Sequence, residues 1–170
     1  ANSLSDLNKC FIHTSFSSNE NWDYDWSEQC TQVGYTHVPD DNFEQALIDL
    51  GYDDELDDFV HAEDVSEVTF LELIEKGITD LTGIEAFDAL TFLNVAVNQL
   101  ESIDVSSNLN LNRLDAGGNT GLTQLEFAEN GNMTSVNLNA TGFEFFDFST
   151  HTPNLEHLDW CCSENLTYLD

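Results

Sequence analysis

From about Val68 to Asp170 the apolar positions repeat one short phrase: an apolar residue, a second three later, a third two after that, then often Asn three further on. Leu90, Leu93, Val95 and Asn98 state it, and Leu100, Ile103, Val105 and Asn108 repeat it. Leu111, Leu114, Ala116 and Asn119 follow, then Leu122, Leu125, Phe127 and Asn130. Weaker copies run through Met133, Val136, Leu138 with Thr141, through Phe143, Phe146, Phe148 with His151, and through Leu155, Leu158, Trp160 with Ser163. Leu166 and Leu169 open a further copy. The step is ten to twelve residues, and two steps make a turn of about 22.

This period predicts an α/β solenoid of leucine-rich repeats. Short strands line the concave face, extended or turn segments line the convex face, and a helical cap closes the N-terminal end. The second and third apolar residues of each phrase stand two apart, so they point to the same side of a strand and their neighbours point out. Asn98, Asn108, Asn119 and Asn130 sit where a side-chain amide can bond neighbouring backbone along a stack, which makes them structural.

Alternate phrases fall on opposite faces. Face one presents Phe70, Glu72, Ile74; Phe92, Asn94, Ala96; Arg113, Asp115, Gly117; Ser135, Asn137, Asn139; and His157, Asp159, Cys161. Face two presents Ser102, Asp104, Ser106; Gln124, Glu126, Ala128; Phe145, Asp147, Ser149; and then Tyr168 and Asp170. The candidate ligand-binding set on face one is Phe70, Glu72, Phe92, Asn94, Arg113, Asp115, Asn137, His157 and Asp159, since aromatics beside amides, acids and one Arg suit a protein or sugar surface. Cover of Phe70, Ile74 and Phe92 by the N-terminal segment is the competing reading. On face two the middle column is acidic at each rung, and rungs about 4.8 Å apart make that costly unless water, hydroxyls or a cation compensates. Asp104, Glu126 and Asp147 are therefore the candidate Ca²⁺ ligands, with Ser102, Ser106 and Ser149 as alternative donors. A hydrated acidic surface that blocks edge pairing is the other reading. No other cofactor is expected.

Ahead of the repeats lie two more segments. Residues 1–36 form an N-terminal extension, rich in Ser and Asn, with a Trp22, Tyr24, Trp26 alternation that either packs over a core or stacks on sugar rings. Cys10 and Cys30 can close a short bridge there, worth roughly 3 kcal/mol, or remain free thiols. Cys161 and Cys162 are adjacent, and strain disfavours a bond between them. Residues 37–67 make the cap. Pro39, Asp40 and Asp41 mark a helix start, Phe43, Ala46, Leu47 and Leu50 its buried stripe, and Gly51 its stop. A second amphipathic piece is expected through Leu56, Phe59 and Val60, with 61–67 a polar connector. The Asp53–Asp58 run lacks the Gly and terminal Glu of a calcium loop and reads as a solvated face. Residues 68–170 are the repeats. They stop inside a phrase, so either further repeats follow or two copies meet end to end.

Charge narrows the partners. Three basic residues face 33 acidic ones, for a formal charge of -30. Such a surface repels nucleic acid and anionic lipid. No apolar run approaches the roughly 18 residues of a membrane span, so membrane insertion is not expected. The histidines His13, His37, His61, His151 and His157 are scattered with no triad spacing, and no enzyme is expected.

The run Val38-Pro39-Asp40-Asp41-Asn42-Phe43-Glu44-Gln45-Ala46-Leu47-Ile48 resembles the capping segment of secreted leucine-rich repeat proteins of marine Bacteroidetes-type bacteria. Asp80-Leu81-Thr82-Gly83-Ile84-Glu85 and Leu100-Glu101-Ser102-Ile103-Asp104-Val105-Ser106-Ser107-Asn108 carry the same resemblance, which covers about 36–135 and fades at Phe143–Phe148. It implies secretion, an interaction role and no catalytic residues. For a bacterial chain the sequons at Asn132, Asn139 and Asn165 are by-products of Asn- and Thr-rich turns. The expected function is an extracellular or cell-surface recognition module that binds a protein or polysaccharide through a solenoid face. The alternative is a structural or adhesive segment of a larger surface protein, stabilised by calcium.

Overall fold

The computed structural model describes residues 34–129, 132–148 and 152–161, so the Cys10–Cys30 bridge, the Trp22–Trp26 stripe, Asn130, Ser149, His151, Cys162, Tyr168 and Asp170 lie outside the described residues. The chain forms a parallel β-solenoid of about four turns. Strands β3 (Phe70–Glu72), β4 (Phe92–Asn94), β6 (Arg113–Asp115), β8 (Ser135–Asn137) and β9 (His157–Asp159) build one five-stranded parallel sheet. Strands β5 (Ser102–Val105) and β7 (Gln124–Phe127) pair in parallel in a second sheet. Register follows the repeat: Phe70 opposes Phe92, then Arg113, Ser135 and His157, while Leu71 opposes Leu93, Leu114, Val136 and Leu158.

The period-two alternation puts one side of each strand into a single axial core. Leu93 (0%), Ile103 (1%), Leu114 (2%) and Leu125 (5%) are all buried in one cluster. Asparagines stitch successive turns. Asn98 donates through Nδ2 to the carbonyls of Leu73 (2.7 Å) and Val95 (2.9 Å), and its Oδ1 accepts from the N–H groups of Lys76 (3.0 Å) and Ile78 (3.1 Å). Asn119 repeats this one turn on, donating to Val95 and Ala116 and accepting from Leu100. Asn108 does the same on the other side, donating to Ile84 and Phe87, although its Oδ1 finds no partner among the described residues. Each supplies donors and acceptors that the irregular backbone between strands would otherwise leave buried and unpaired.

Before the repeats, β1 (Tyr35–His37) pairs antiparallel with β2 (Phe59–His61), and helix α1 (Asp41–Leu50) lies between them in sequence. The helix begins where the residue types direct: Asp40 caps it, with Oδ1 accepting from the N–H groups of Asn42 and Phe43, both at 3.0 Å. Gly51 ends it in the left-handed conformation, φ 82°. Phe43, Ala46 and Leu47 join the solenoid core. Asp40 also ties the helix to the first turn, since Oδ2 accepts from the Thr79 and Asp80 N–H groups and the Thr79 hydroxyl. Burial pushes its pKa up, but these hydrogen bonds outweigh burial and hold it below the ordinary value.

Two expectations need correction. The segment around Leu56, Phe59 and Val60 is not helical: residues 51–58 turn, Phe59 and Val60 enter β2, and the short helix α2 (Ala62–Ser66) forms in the expected connector. Glu44, on α1, explains the turn, because its Oε1 accepts from the N–H groups of Asp57 (2.8 Å) and Phe59 (3.1 Å) and pins the loop. Finally, Phe145 and Asp147 do not form a third rung on β7. They lie outside any strand, and Phe146 and Phe148 pack against Phe143 and Trp160. No helix among the described residues is long and apolar enough to cross a membrane.

Candidate binding face

The five-stranded sheet brings the face-one residues together in three parallel columns. The column at the strand starts is aromatic and then cationic. Phe70 and Phe92 lie with ring centroids 4.6 Å apart and planes tilted by 32°. The Arg113 guanidinium carbon sits 4.9 Å above the Phe92 ring. Such a cation–π contact adds about 0.5–1 kcal/mol at an exposed site. Phe70 is 54% exposed, so among the described residues nothing covers it. Further along the same column stand Ser135 and His157, the latter exposed.

The middle column runs Glu72, Asn94, Asp115, Asn137 and Asp159, and its members differ in how free they are. Asn94 is only 9% exposed, and its Oδ1 accepts from the N–H of Ala96 at 3.1 Å. Asp115 Oδ1 accepts from the Gly117 N–H (3.1 Å) and from Asn137 Nδ2 (2.9 Å). Asn137 Oδ1 in turn accepts from the Asn139 N–H at 3.0 Å. These side chains close Asx turns at the strand exits. At one step of the column the alternation of acid and amide has a local benefit: Asn137 donates to Asp115 one rung away, where two acids would repel. Asp115 and Asn137 reach a ligand only through their remaining lone pairs and hydrogens, whereas Glu72 and Asp159 are exposed.

A third column was not legible beforehand. Glu75 (φ 56°), Val97 (φ 60°), Gly118 (φ 80°) and Ala140 (φ 54°) are all left-handed, one per turn, just past each strand. The ladder continues through this kink, with Glu75 N–H on Ala96 O, Val97 N–H on Gly117 O, Gly118 N–H on Asn139 O and Ala140 N–H on Cys161 O. Glycine at one rung of four, Gly118, was the only signal. A β-branched residue at positive φ is strained, and Val97 is held there by the ladder while its side chain is 53% exposed beside Ile74 at 44%.

Face two brings Asp104 level with Glu126, one strand apart, and leaves Asp147 out of register. Compensation at Asp104 comes from the backbone N–H of Ser106 at 2.9 Å and not from a serine hydroxyl. Among the described residues no cluster of three or more His, Cys, Asp or Glu side chains is arranged to hold a metal ion. The acids that burial perturbs lie elsewhere. Glu44 is fully buried with Oε2 unpartnered, and burial pushes its pKa up to about 7. Burial likewise raises Asp57 to about 6 and raises Asp53.

No protein-family profile and no curated protein sequence matches the chain. Among solved structures it is similar to the functional domain of InlJ from Listeria monocytogenes, which includes a cysteine ladder, at 26% identity over 80% of this chain and a TM-score of 0.54. The chain spans 35% of the length of that domain. A secreted internalin-like protein from Listeria monocytogenes is similar in fold, at 19% identity, over 73% of this chain and 55% of the other, with a TM-score of 0.52. The chain is a repeat solenoid whose fold is similar to that of these Listeria proteins.

Proposed function

We propose that the chain is a non-enzymatic, extracellular recognition module that binds another protein through its five-stranded face. The observation that carries this is the Phe70–Phe92–Arg113 row, an exposed aromatic and cationic strip on a sheet whose rungs are locked beneath it. Aromatic and Arg side chains concentrate binding energy at protein interfaces, and a rigid scaffold spares the ordering cost of presenting them. The likeness to internalins supports an interaction role. The secreted, marine Bacteroidetes-type origin rests on the capping-segment resemblance, and α1 with β1 and β2 is the N-terminal cap of that reading.

The test is a panel of extracellular proteins and glycans probed with the wild-type chain and with F70A/R113A, whose stability is checked alongside. Binding to a protein that falls at least tenfold in the double variant is the expected result. Binding that is unchanged by the double variant, or confined to glycans, contradicts the proposal.

A further inference from the structure

The five-stranded sheet has an unused edge at its N-terminal end. Strand β3 is outermost and pairs only with β4. The bonds on that side are Phe92 N–H to Thr69 O (3.2 Å), Leu73 N–H to Asn94 O (2.7 Å) and Glu75 N–H to Ala96 O (3.1 Å). In a parallel sheet alternate residues direct both backbone groups to the same neighbour. Thr69, Leu71, Leu73 and Glu75 therefore face β4, and the N–H and C=O groups of Phe70, Glu72 and Ile74 point away from it. No hydrogen bond to those groups forms among the described residues.

The side chains of the same three residues stand on the solvent face: Phe70 is 54% exposed, Ile74 is 44% exposed, and Glu72 between them is exposed. Phe92 has a neighbour on each flank and is half-buried, whereas Phe70 has Phe92 on one flank and an open ring face on the other. The edge thus offers a short run of paired donors and acceptors beside an apolar, acidic, apolar row.

We propose that this edge accepts an extended, basic segment of another protein as an added strand, with apolar side chains beside Phe70 and Ile74 and a Lys or Arg beside Glu72. Charge selects the occupant. Glu67, Glu72 and Glu75 flank the edge and are exposed, and the nearby Lys76 is engaged by Asp49 at 3.2 Å. With a formal charge of -30 the chain attracts basic segments from a distance. A second copy is disfavoured, because antiparallel pairing of two β3 edges sets Glu72 against Glu72. Strand addition draws affinity from main-chain bonds and specificity from alternate side chains. It is separate from docking on the sheet face, which needs no edge amides.

The test uses the whole chain and the peptide Thr-Val-Thr-Lys-Thr-Val-Thr, acetylated and amidated, followed by the amide NMR signals of Phe70, Glu72 and Ile74. Saturable shifts at millimolar peptide are expected. They should weaken more than tenfold when the peptide amides facing the edge are N-methylated, and again in Glu72→Lys. Equal shifts with the N-methylated peptide overturn strand addition in favour of contact on the face. Absence of saturable shifts, or edge shifts that grow with protein concentration without peptide, overturns the proposed occupant.

Discussion

The turns from Phe70 to Phe127 and the stretch from Met133 to Cys161 carry the same apolar spacing, yet they are built differently. In the first, mostly aliphatic side chains with Phe87 and Phe127 fill the core, asparagines latch each turn to the last, and both sides form strands. In the second, Phe143, Phe146, Phe148 and Trp160 cluster at centroid distances of 4.6–6.4 Å, and among the described residues only the five-stranded sheet continues. The latch there is Thr141, whose hydroxyl makes a single bond to Leu138 O at 2.8 Å. Past β7 the repeat gives up strand geometry on one side among the described residues. What it keeps is the side that carries the candidate binding face.

The contrast breaks first at the latches. Asn98→Ala removes three donated and two accepted bonds and strands buried backbone groups, so it should cost about 3–5 kcal/mol in denaturant unfolding. Thr141→Ala should cost about 1 kcal/mol. Equal losses would mean that the two regions are held alike.

Next in size is a pH effect confined to the front of the molecule, since each turn of a solenoid touches only its neighbours. Burial keeps the Glu44 proton on in the folded state from the ordinary 4.5 up to about 7. Stability should therefore fall as pH rises through that interval and level off above it, by roughly 3 kcal/mol in all. Asp57 and Asp53, also raised by burial, act in the same direction. Glu44→Gln should flatten most of this slope in a pH series of melts, and a slope that survives it would place the buried charge elsewhere. The smallest effect is at the strained strand exit: Val97→Gly should raise stability by up to about 1 kcal/mol, as relief of the left-handed β-branched residue outweighs the added chain entropy. A loss of that size would mean the side chain contributes more than the strain.

Much of this arrangement could be read from spacing alone. Two apolar residues two apart, recurring every 21 or 22 positions, set Leu71 against Leu93, Leu114, Val136 and Leu158 and so placed every face-one column correctly. Asp40 and Gly51 marked the ends of α1 because caps are local chemistry. The misses depend on contacts that a residue type does not announce. Phe145 carried the spacing of a rung, yet no strand forms there among the described residues. Glu44 was not singled out by its sequence position, and the loop bonded to it accompanies its burial. The turn-closing bonds of Asn94, Asp115 and Asn137 were likewise not visible in their residue types. The open edge of β3 is topological, and no residue signals it.

Backbone amide hydrogen exchange tests most directly the claim that asparagine latches lock the front turns while the aromatic end is looser. The amides of Ile103, Val105, Leu125 and Phe127 should exchange at least a hundredfold more slowly than those of Phe145 to Phe148, a gap of about 2.7 kcal/mol in opening free energy. Protection spread evenly from Ile103 to Phe148 would contradict it.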